Sequence, residues 1–193
     1  MKRLDHQIIY DLIPKESRVL DLGCADGSLM KHLKQKDISS QGIEINYKLT
    51  KKAIEEGMNI VQQDLDKGLR DYQDSTFDYV ILNKTLQATR NPVLVIQDAI
   101  RIGRKVLISF TNFGYWEIRS QLFFKGKMPK SKDLPYEWYN TPNIHLVTIS
   151  DFETFCAKNN FRVNQKIFYN EFLTLPNIMP NLFSPYALFV LSQ

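Results

Sequence analysis

The chain has 193 residues but only two cysteines and no long run of apolar residues. Two cysteines are a poor disulfide framework. The longest purely apolar run, residues 186–191, is far shorter than the about 20 residues that span a membrane. The first residues lack the apolar segment of a secretory signal. We therefore expect a soluble, cytoplasmic protein with reduced cysteines and no membrane partner.

Internal repeats, glycine-serine linkers and low-complexity tracts are also absent from the sequence, which predicts a single domain over residues 1–193. The net charge of +4 is too small to indicate a nucleic-acid partner. Neither a metal-ligand cluster nor a Ser-His-Asp arrangement can be recognised, so we predict no metal ion and no hydrolase chemistry.

The most informative stretch is a strand, a glycine turn and a helix near the start of the chain. The apolar run over residues 19–22 suits a buried parallel strand. Gly23 and Gly27 then allow the backbone to approach a ligand more closely than a Cβ atom would permit. Ser28 opens a helical pattern whose first N–H groups would face the same crevice. A polar ligand is expected there.

An acidic residue follows at the spacing typical of nucleotide-binding sheets. Glu44 ends a second predicted strand over residues 41–45, 23 residues after Asp21. A carboxylate at that strand tip can accept both hydrogen bonds of a ribose diol and would repel a 2′-phosphate, which disfavours NADP. The dinucleotide fingerprint G-x-G-x-x-G is also weakened, because Ala25 and Ser28 occupy its second and third glycine positions.

Residues 19–27, Val-Leu-Asp-Leu-Gly-Cys-Ala-Asp-Gly, resemble the first motif of class I S-adenosylmethionine-dependent methyltransferases. The middle glycine of that motif is Ala25 in this chain. The resemblance implies that Asp21 sits under the methionine moiety and that the turn lines the amino-acid and ribose part of the cofactor. From the turn, the predicted cofactor-binding residues are Asp21, Gly23, Cys24, Ala25, Asp26, Gly27 and Ser28.

The same resemblance extends the predicted site to later strand ends. Glu44 and its neighbour Ile45 would lie at the ribose, whereas Asp64 and the Leu65 backbone N–H would read the adenine. A capping or solvated role is the alternative for Asp64. Asn83 ends a predicted strand at the sheet edge where ligands bind, so its backbone would border the sulfonium. An ordinary turn residue is the alternative for Asn83.

The succession of strands and helices is typical of an α/β protein in which helices cover both faces of a mostly parallel sheet. The resemblance to class I methyltransferases implies that this is their Rossmann-like fold with a seven-stranded sheet. Ser150 is predicted as the N-cap of one helix, with Glu153 completing a capping box. The predicted helices lie at residues 28–33, 47–56, 93–102 and 150–159. The predicted strands lie at residues 19–22, 41–45, 58–61, 77–83, 105–110, 162–168 and 186–191.

An aromatic-rich insertion at about residues 110–148 contains nine of the 23 aromatic residues of the chain. So dense a cluster of aromatic residues either covers a ligand pocket or contacts a partner protein. Asn112, Glu137, Asn143 and His145 would supply polar groups beside the aromatic walls. His145 is a weak candidate for proton handling, with a hydrogen-bonded structural role as the alternative. No catalytic base can be assigned.

Three further stretches are more specific: Leu-Gln-Ala-Thr at 86–89, Ser-Phe-Thr-Asn-Phe-Gly-Tyr-Trp at 109–116 and Leu-Pro-Tyr-Glu-Trp-Tyr-Asn-Thr-Pro-Asn-Ile-His-Leu at 134–146. They closely resemble the methionine biosynthesis protein MetW family, and the likeness runs from the first strand to at least residue 161. That family is a bacterial group linked to methionine synthesis and to the homoserine O-acyltransferase of that route.

Two functions are compatible with these patterns. The first is a methyltransferase that moves the methyl group of S-adenosylmethionine onto a small acceptor and releases S-adenosylhomocysteine, with catalysis resting on positioning. The second is a non-catalytic regulatory subunit that senses S-adenosylmethionine and docks its aromatic segment onto homoserine O-acyltransferase. The sequence does not identify an acceptor.

Overall fold

The computed structural model describes residues 3–131 and 134–192. Residues 1, 2, 132, 133 and 193, which the predicted domain and its insertion include, lie outside this range. The strands are β1 (Arg18–Leu22), β2 (Ser39–Glu44), β3 (Ile60–Gln62), β4 (Phe77–Asn83), β5 (Gly103–Thr111), β6 (Arg162–Tyr169), β7 (Thr174–Leu175) and β8 (Tyr186–Ser192). The α-helices are α1 (Leu4–Leu12), α2 (Ser28–Lys34), α3 (Tyr47–Glu55), α4 (Pro92–Ile102), α5 (Trp116–Lys125), α6 (Ile149–Lys158) and α7 (Pro180–Phe183).

The strands form one sheet in the order β3-β2-β1-β4-β5-β8-β6-β7. The first five of these run parallel, and β8 is antiparallel to both β5 and β6. This arrangement confirms the predicted Rossmann-like class I methyltransferase fold. The sheet has eight strands rather than seven, because the two-residue strand β7 pairs with the end of β6. Two residues are too few to show a strand pattern in the sequence.

Helices cover both faces of the sheet, as predicted. Because side chains alternate along a strand, neighbouring residues of β1, β4 and β5 contribute to opposite layers. One layer combines Leu20, Val80 and Ile108 with residues of α4 and α6. The other combines their strand neighbours Val19 and Ile81 with residues of α1 and α2.

Three helices, α1, α5 and α7, were not predicted. The first turn of α1 buries Asp5 and His6, two residue types that usually mark an exposed surface. In α5, Phe123 and Phe124 are exposed and Ile118 is the buried residue, so the sequence shows no apolar stripe of helical period. The four residues of α7 make up barely one helical turn, which is too short to show a repeating helical pattern.

Three further observations concern the described residues alone. None of their helices combines the length and the apolar character that crossing a membrane requires. No group of three or more histidine, cysteine, aspartate or glutamate side chains among them is arranged to hold a metal ion. The two cysteines, Cys24 and Cys156, are both free and buried.

The start of α6 differs from the prediction. Its N-cap is Thr148, whose hydroxyl oxygen accepts a hydrogen bond from the Asp151 N–H at 3.1 Å. The Ser150–Glu153 capping box is therefore wrong by two residues, since Ser150 lies inside the first turn. Glu153 instead forms an ion pair with Lys166 across 2.6 Å. Thr148 and Asp151 have the same spacing as the predicted pair, which explains the error.

We expect Thr148→Ala to lower the free energy of unfolding by about 1 kcal/mol, because an unsatisfied N–H group would remain at the start of α6. Ser150→Ala is the matched control and should change the free energy by only a few tenths of a kcal/mol. Urea denaturation measures both values. A larger loss for Ser150→Ala than for Thr148→Ala would contradict this assignment of the cap.

Candidate functional site

The carboxyl ends of β1, β2, β3 and β4 meet at one edge of the sheet and enclose a cleft of about 450 Å³. Ligands bind at this edge in open α/β sheets. The cleft lies where the sequence predicts it, and half of the predicted cofactor-binding residues line it. These are Gly23, Ala25, Glu44, Ile45, Asp64 and Leu65.

The turn after β1 adopts the left-handed backbone conformation at three alternate residues. These are Gly23, Ala25 and Gly27, with φ angles of 76°, 50° and 72°. At Gly23 an added Cβ atom would also collide with the side chain of Thr85, so both sterics and backbone favour glycine there. Ala25, which replaces the middle glycine of the motif, takes the same unusual conformation and is exposed to solvent.

Glu44 connects this turn to the next helix. Its carboxylate is buried and accepts hydrogen bonds from the Ala25 N–H at 2.9 Å and from the Asn46 N–H at 2.8 Å. Asn46 in turn caps α3. An ionised carboxylate has about four acceptor sites, so these two bonds leave capacity for the hydroxyl groups of a ligand.

Asp64 follows β3 and has the capping role that the sequence left open as the alternative. Its side chain accepts a hydrogen bond from the Asp66 N–H at 3.0 Å and thereby caps a single 3₁₀ turn, Leu65–Lys67. The residue also lines the cleft together with Leu65. Its neighbour Asp66 accepts hydrogen bonds from the N–H groups of Arg90 and Asn91, which anchors this wall of the cleft.

Asp21 lies beneath the cleft and does not line it. The side chain is only 2% exposed. Burial, reinforced by the nearby negative charge of Glu44, raises the pKa of Asp21 to about 7, although the positive charge of Arg3 opposes this shift. Glu44 and Asp64 line the cleft, whereas Asp21 lies beneath it.

The side chain of Cys24 also points into the protein. It packs against Met30, Ala53 and Ile60, and burial raises the pKa of its thiol. Both observations oppose a reactive thiolate, which needs an electropositive and accessible site. Within the turn, the Cys24 N–H donates to the Ile43 carbonyl at 3.1 Å.

The remaining three residues of this predicted set, Asp26, Gly27 and Ser28, do not line the cleft. Asp26 accepts a hydrogen bond from the Ser28 N–H at 3.2 Å, at the exposed start of α2. The residues of the turn that line the cleft are therefore Gly23 and Ala25.

The Asn83 side chain turns away from the cleft into a chain of hydrogen bonds. Its amide oxygen accepts from the Ser109 hydroxyl at 2.5 Å, and its amide nitrogen donates to buried Asp5 at 3.1 Å. Arg3 binds the same Oδ2 oxygen of Asp5 through an ion pair of 2.5 Å and donates a second hydrogen bond to Oδ1 at 3.1 Å. The residues after Asn83, including Lys84, line the cleft instead. Sequence reasoning missed Arg3 and Asp5 because they are far from Asn83 in the chain.

Residues 141–146, which belong to the aromatic insertion, lie along one wall of the cleft, and we call this segment the strap. Pro142 and Asn143 line the cleft. The N–H groups of Ile144 and His145 donate to the Gln87 carbonyl at 2.8 Å and 3.1 Å, which fastens the strap beside the cleft wall. His145 does not line the cleft: it is exposed and borders a separate hollow of about 260 Å³.

Behind the strap lies an aromatic hollow of about 690 Å³, lined by residues that include Phe113, Met128, Tyr136 and Trp138. The insertion also presents aromatic side chains directly to solvent. We call these exposed residues the aromatic surface, and their exposed fractions are 50% for Trp116, 83% for Phe123, 80% for Phe124, 72% for Trp138 and 70% for Tyr139.

The polar residues predicted beside the aromatic walls lie in different places. Asn112 is fully buried, and its amide donates to the carbonyls of Asn181 and Ser184 at 3.1 Å and 2.8 Å. Glu137 lines the aromatic hollow and pairs with Lys130 across 2.6 Å. Of the four polar groups predicted for the insertion, only Asn143 lines the cleft.

The raised pKa of Asp21 predicts a specific pH dependence of stability. The unfolded chain loses the Asp21 proton near pH 4, whereas the folded chain keeps it to about pH 7. Between these values the unfolded state binds fewer protons, so the free energy of unfolding falls as pH rises. Asp21→Asn is neutral throughout, and we expect its stability relative to wild type to be higher at pH 8 than at pH 5. Urea denaturation at both pH values would refute this if the difference stayed constant.

Comparison with solved structures gives the same fold. A TehB-like SAM-dependent methyltransferase from Corynebacterium glutamicum is 16% identical, with a TM-score of 0.65 over 98% of this chain and 86% of that chain. A SAM-dependent methyltransferase from Archaeoglobus fulgidus is 18% identical, with a TM-score of 0.66 over 98% of this chain and 91% of that chain. At such low identity the likeness shows the fold alone.

Sequence comparison is more specific. The chain is 32% identical over 177 residues to a bifunctional methionine biosynthesis protein MetXA/MetW from Rhodopirellula baltica. The match covers 86% of this chain and 28% of that protein, so the chain spans less than a third of the length of this relative. The family model described as methionine biosynthesis protein MetW matches residues 3–191. The chain therefore belongs to the MetW family.

Proposed function

We propose that this MetW-family chain binds S-adenosylmethionine and S-adenosylhomocysteine in the cleft at the carboxyl ends of the strands. The observation that carries the proposal is the position of Glu44, a buried carboxylate that lines the cleft and is already joined to the left-handed turn after β1. A volume of about 450 Å³ lies within the range typical of small-molecule sites.

The lining residues suggest how an adenosyl ligand would be oriented. Glu44 would accept the two hydroxyl groups of the ribose, since an ionised carboxylate is an acceptor only. Asp64 and the Leu65 backbone would lie at the adenine, on the β3 side of the cleft. The sulfonium would then lie on the β4 side, next to Lys84 and Thr85.

We further propose that the aromatic surface docks onto the homoserine O-acyltransferase of methionine synthesis. Exposed aromatic side chains of this number are unusual on a monomer and are enriched at protein interfaces. The relative from Rhodopirellula baltica joins MetXA and MetW in one polypeptide, which supports a close association of the two activities. A cytoplasmic setting belongs to this proposal.

The strap joins the cleft to the aromatic hollow and would couple ligand binding to docking. Pro142 and Asn143 line the cleft, while Thr141 and Leu146 line the aromatic hollow. If S-adenosylmethionine changes the affinity for the acyltransferase, the acyltransferase must change the affinity for S-adenosylmethionine by the same factor. The chain would then act as a sensor of the methyl donor.

A second candidate function is methyl transfer from S-adenosylmethionine to a small acceptor. The observation in its favour is the shared fold with solved SAM-dependent methyltransferases. Catalysis would rest on positioning the acceptor beside Thr85 and Asn143, in line with the methyl group. An assay for S-adenosylhomocysteine release separates the two candidates, because only methyl transfer produces that compound.

We expect Glu44→Gln to raise the dissociation constants of S-adenosylmethionine and S-adenosylhomocysteine by about tenfold or more, because a hydrogen bond to a charged group contributes about 1.5–3 kcal/mol. Isothermal titration calorimetry measures this change. The matched control is Asp78→Asn, which neutralises a carboxylate near the amino end of β4, where Asp78 pairs with Arg104. Unchanged affinity in Glu44→Gln would show that the ligand does not occupy the proposed position.

We expect Trp138→Ala to weaken association with the homoserine O-acyltransferase by about tenfold or more, since a buried aromatic anchor typically contributes at least 1–2 kcal/mol to an interface. Surface plasmon resonance with the purified acyltransferase measures the affinity. Ile54→Ala removes an exposed apolar side chain on α3, outside the insertion, and should leave the affinity unchanged. Equal effects of the two variants would argue against docking through the aromatic surface.

A further inference from the structure

The strap, residues 141–146, is a weakly attached part of the cleft wall. Pro142 and Asn143 line the cleft, yet none of the six residues of the strap is buried. Among the described residues, the strap makes two hydrogen bonds to the rest of the protein, and both end on the Gln87 carbonyl. Segments with few buried contacts and solvent-exposed hydrogen bonds open readily. The strap can therefore leave the cleft wall without disrupting the core.

Gln87, in contrast, is a fixed anchor. Its side chain is 2% exposed, and its amide oxygen accepts a hydrogen bond from the Thr111 N–H at 3.2 Å. The amide nitrogen donates to the Thr111 carbonyl, also at 3.2 Å, so two bonds tie Gln87 to the end of β5. The N–H groups of Ile144 and His145 share the one backbone carbonyl of Gln87. The strap is thus fastened to a rigid residue at a single point.

The residues that follow the strap are fixed as well. The Val147 carbonyl accepts a hydrogen bond from the Phe113 N–H at 3.0 Å, and Thr148 caps α6. Release of the Gln87 carbonyl therefore lets the strap swing about this fixed end. Water can hydrogen-bond to the released carbonyl and to the two N–H groups of the open strap, so opening leaves no polar group without a partner.

Asn143 gives the strap a means of holding a ligand. The residue is half-buried and lines the cleft. Its side-chain amide makes no hydrogen bond to the part of the chain that the structure describes. A side-chain amide carries two donors and one acceptor oxygen with two lone pairs. These groups are available to a polar ligand in the cleft.

We propose that Asn143 is a ligand-binding residue carried by a gate: the strap swings away from Gln87 to admit the ligand and closes when the Asn143 amide hydrogen-bonds to it. This inference rests on the proposed function, which places an adenosyl ligand in the cleft. Closure also fixes Thr141 and Leu146 in the wall of the aromatic hollow. Occupancy of the cleft therefore controls the shape of the hollow beside the aromatic surface.

The test is amide hydrogen exchange of the full chain, followed by NMR with and without S-adenosylhomocysteine. Without ligand, we expect protection at the Ile144 and His145 N–H groups to be at least about tenfold lower than at Phe113, whose N–H makes a bond of similar length at the fixed end of the strap. Saturating ligand should slow exchange at Ile144 and His145 by about tenfold or more and leave Phe113 unchanged.

A pair of variants tests the role of the amide. Asn143→Ala should bind S-adenosylhomocysteine about three- to tenfold more weakly in isothermal titration calorimetry, as expected for one lost hydrogen bond. It should also lose most of the ligand-induced slowing at Ile144 and His145. Asn177→Ala is the matched control, because it makes the same substitution at an exposed residue outside the cleft lining. It should retain the wild-type affinity and slowing.

If calorimetry shows that S-adenosylhomocysteine binds wild type but exchange at Ile144 and His145 does not slow, this inference alone is overturned. Equal slowing in wild type and Asn143→Ala would also overturn it, because the strap would then close without this amide. Absence of binding to wild type would overturn the proposed function and this inference with it. The exchange measurement on wild type needs no variant, so it decides the question even if Asn143→Ala fails to fold.

Discussion

The bonds from the Glu44 carboxylate to the N–H groups of Ala25 and Asn46 hold the candidate site together. A buried carboxylate is costly unless it is hydrogen-bonded, and here two backbone donors from different elements stabilise it. One bond stabilises the left-handed conformation of Ala25, and the other positions the start of α3. The shape of the cleft floor and the orientation of its main acceptor group therefore depend on the same side chain.

The electrostatics of the cleft follow from this arrangement. Burial, reinforced by the nearby charge of Glu44, makes a charge on Asp21 unfavourable and raises the pKa of Asp21 to about 7. The acidic side chains that line the cleft, Glu44, Asp64 and Asp66, lie on the β2 and β3 side. A ligand with hydroxyl donors at that end matches this distribution of charge.

The position of the cleft could be predicted from the sequence because the first three apolar runs are each followed by a glycine or an acid, Gly23, Glu44 and Asp64, and parallel strands bring their carboxyl ends to one edge. Glu44 and Asp64 follow from this rule. The sequence could not predict that Asn83 faces Asp5, or that Asn112 is enclosed by Asn181 and Ser184, because these contacts join distant parts of the chain. The sequence did not predict α5 because the aromatic residues of this helix are exposed. A helix without a buried apolar stripe shows no helical period of apolar residues in its sequence.

The most direct test of the central claim is a crystal structure of the chain with S-adenosylhomocysteine. We expect density for the ligand in the cleft, with both ribose hydroxyl groups within hydrogen-bonding distance of Glu44 and the sulfur on the side of Lys84. Density for the ligand in the aromatic hollow, or in the cleft with the ribose away from Glu44, would contradict the claim that this carboxylate organises the site.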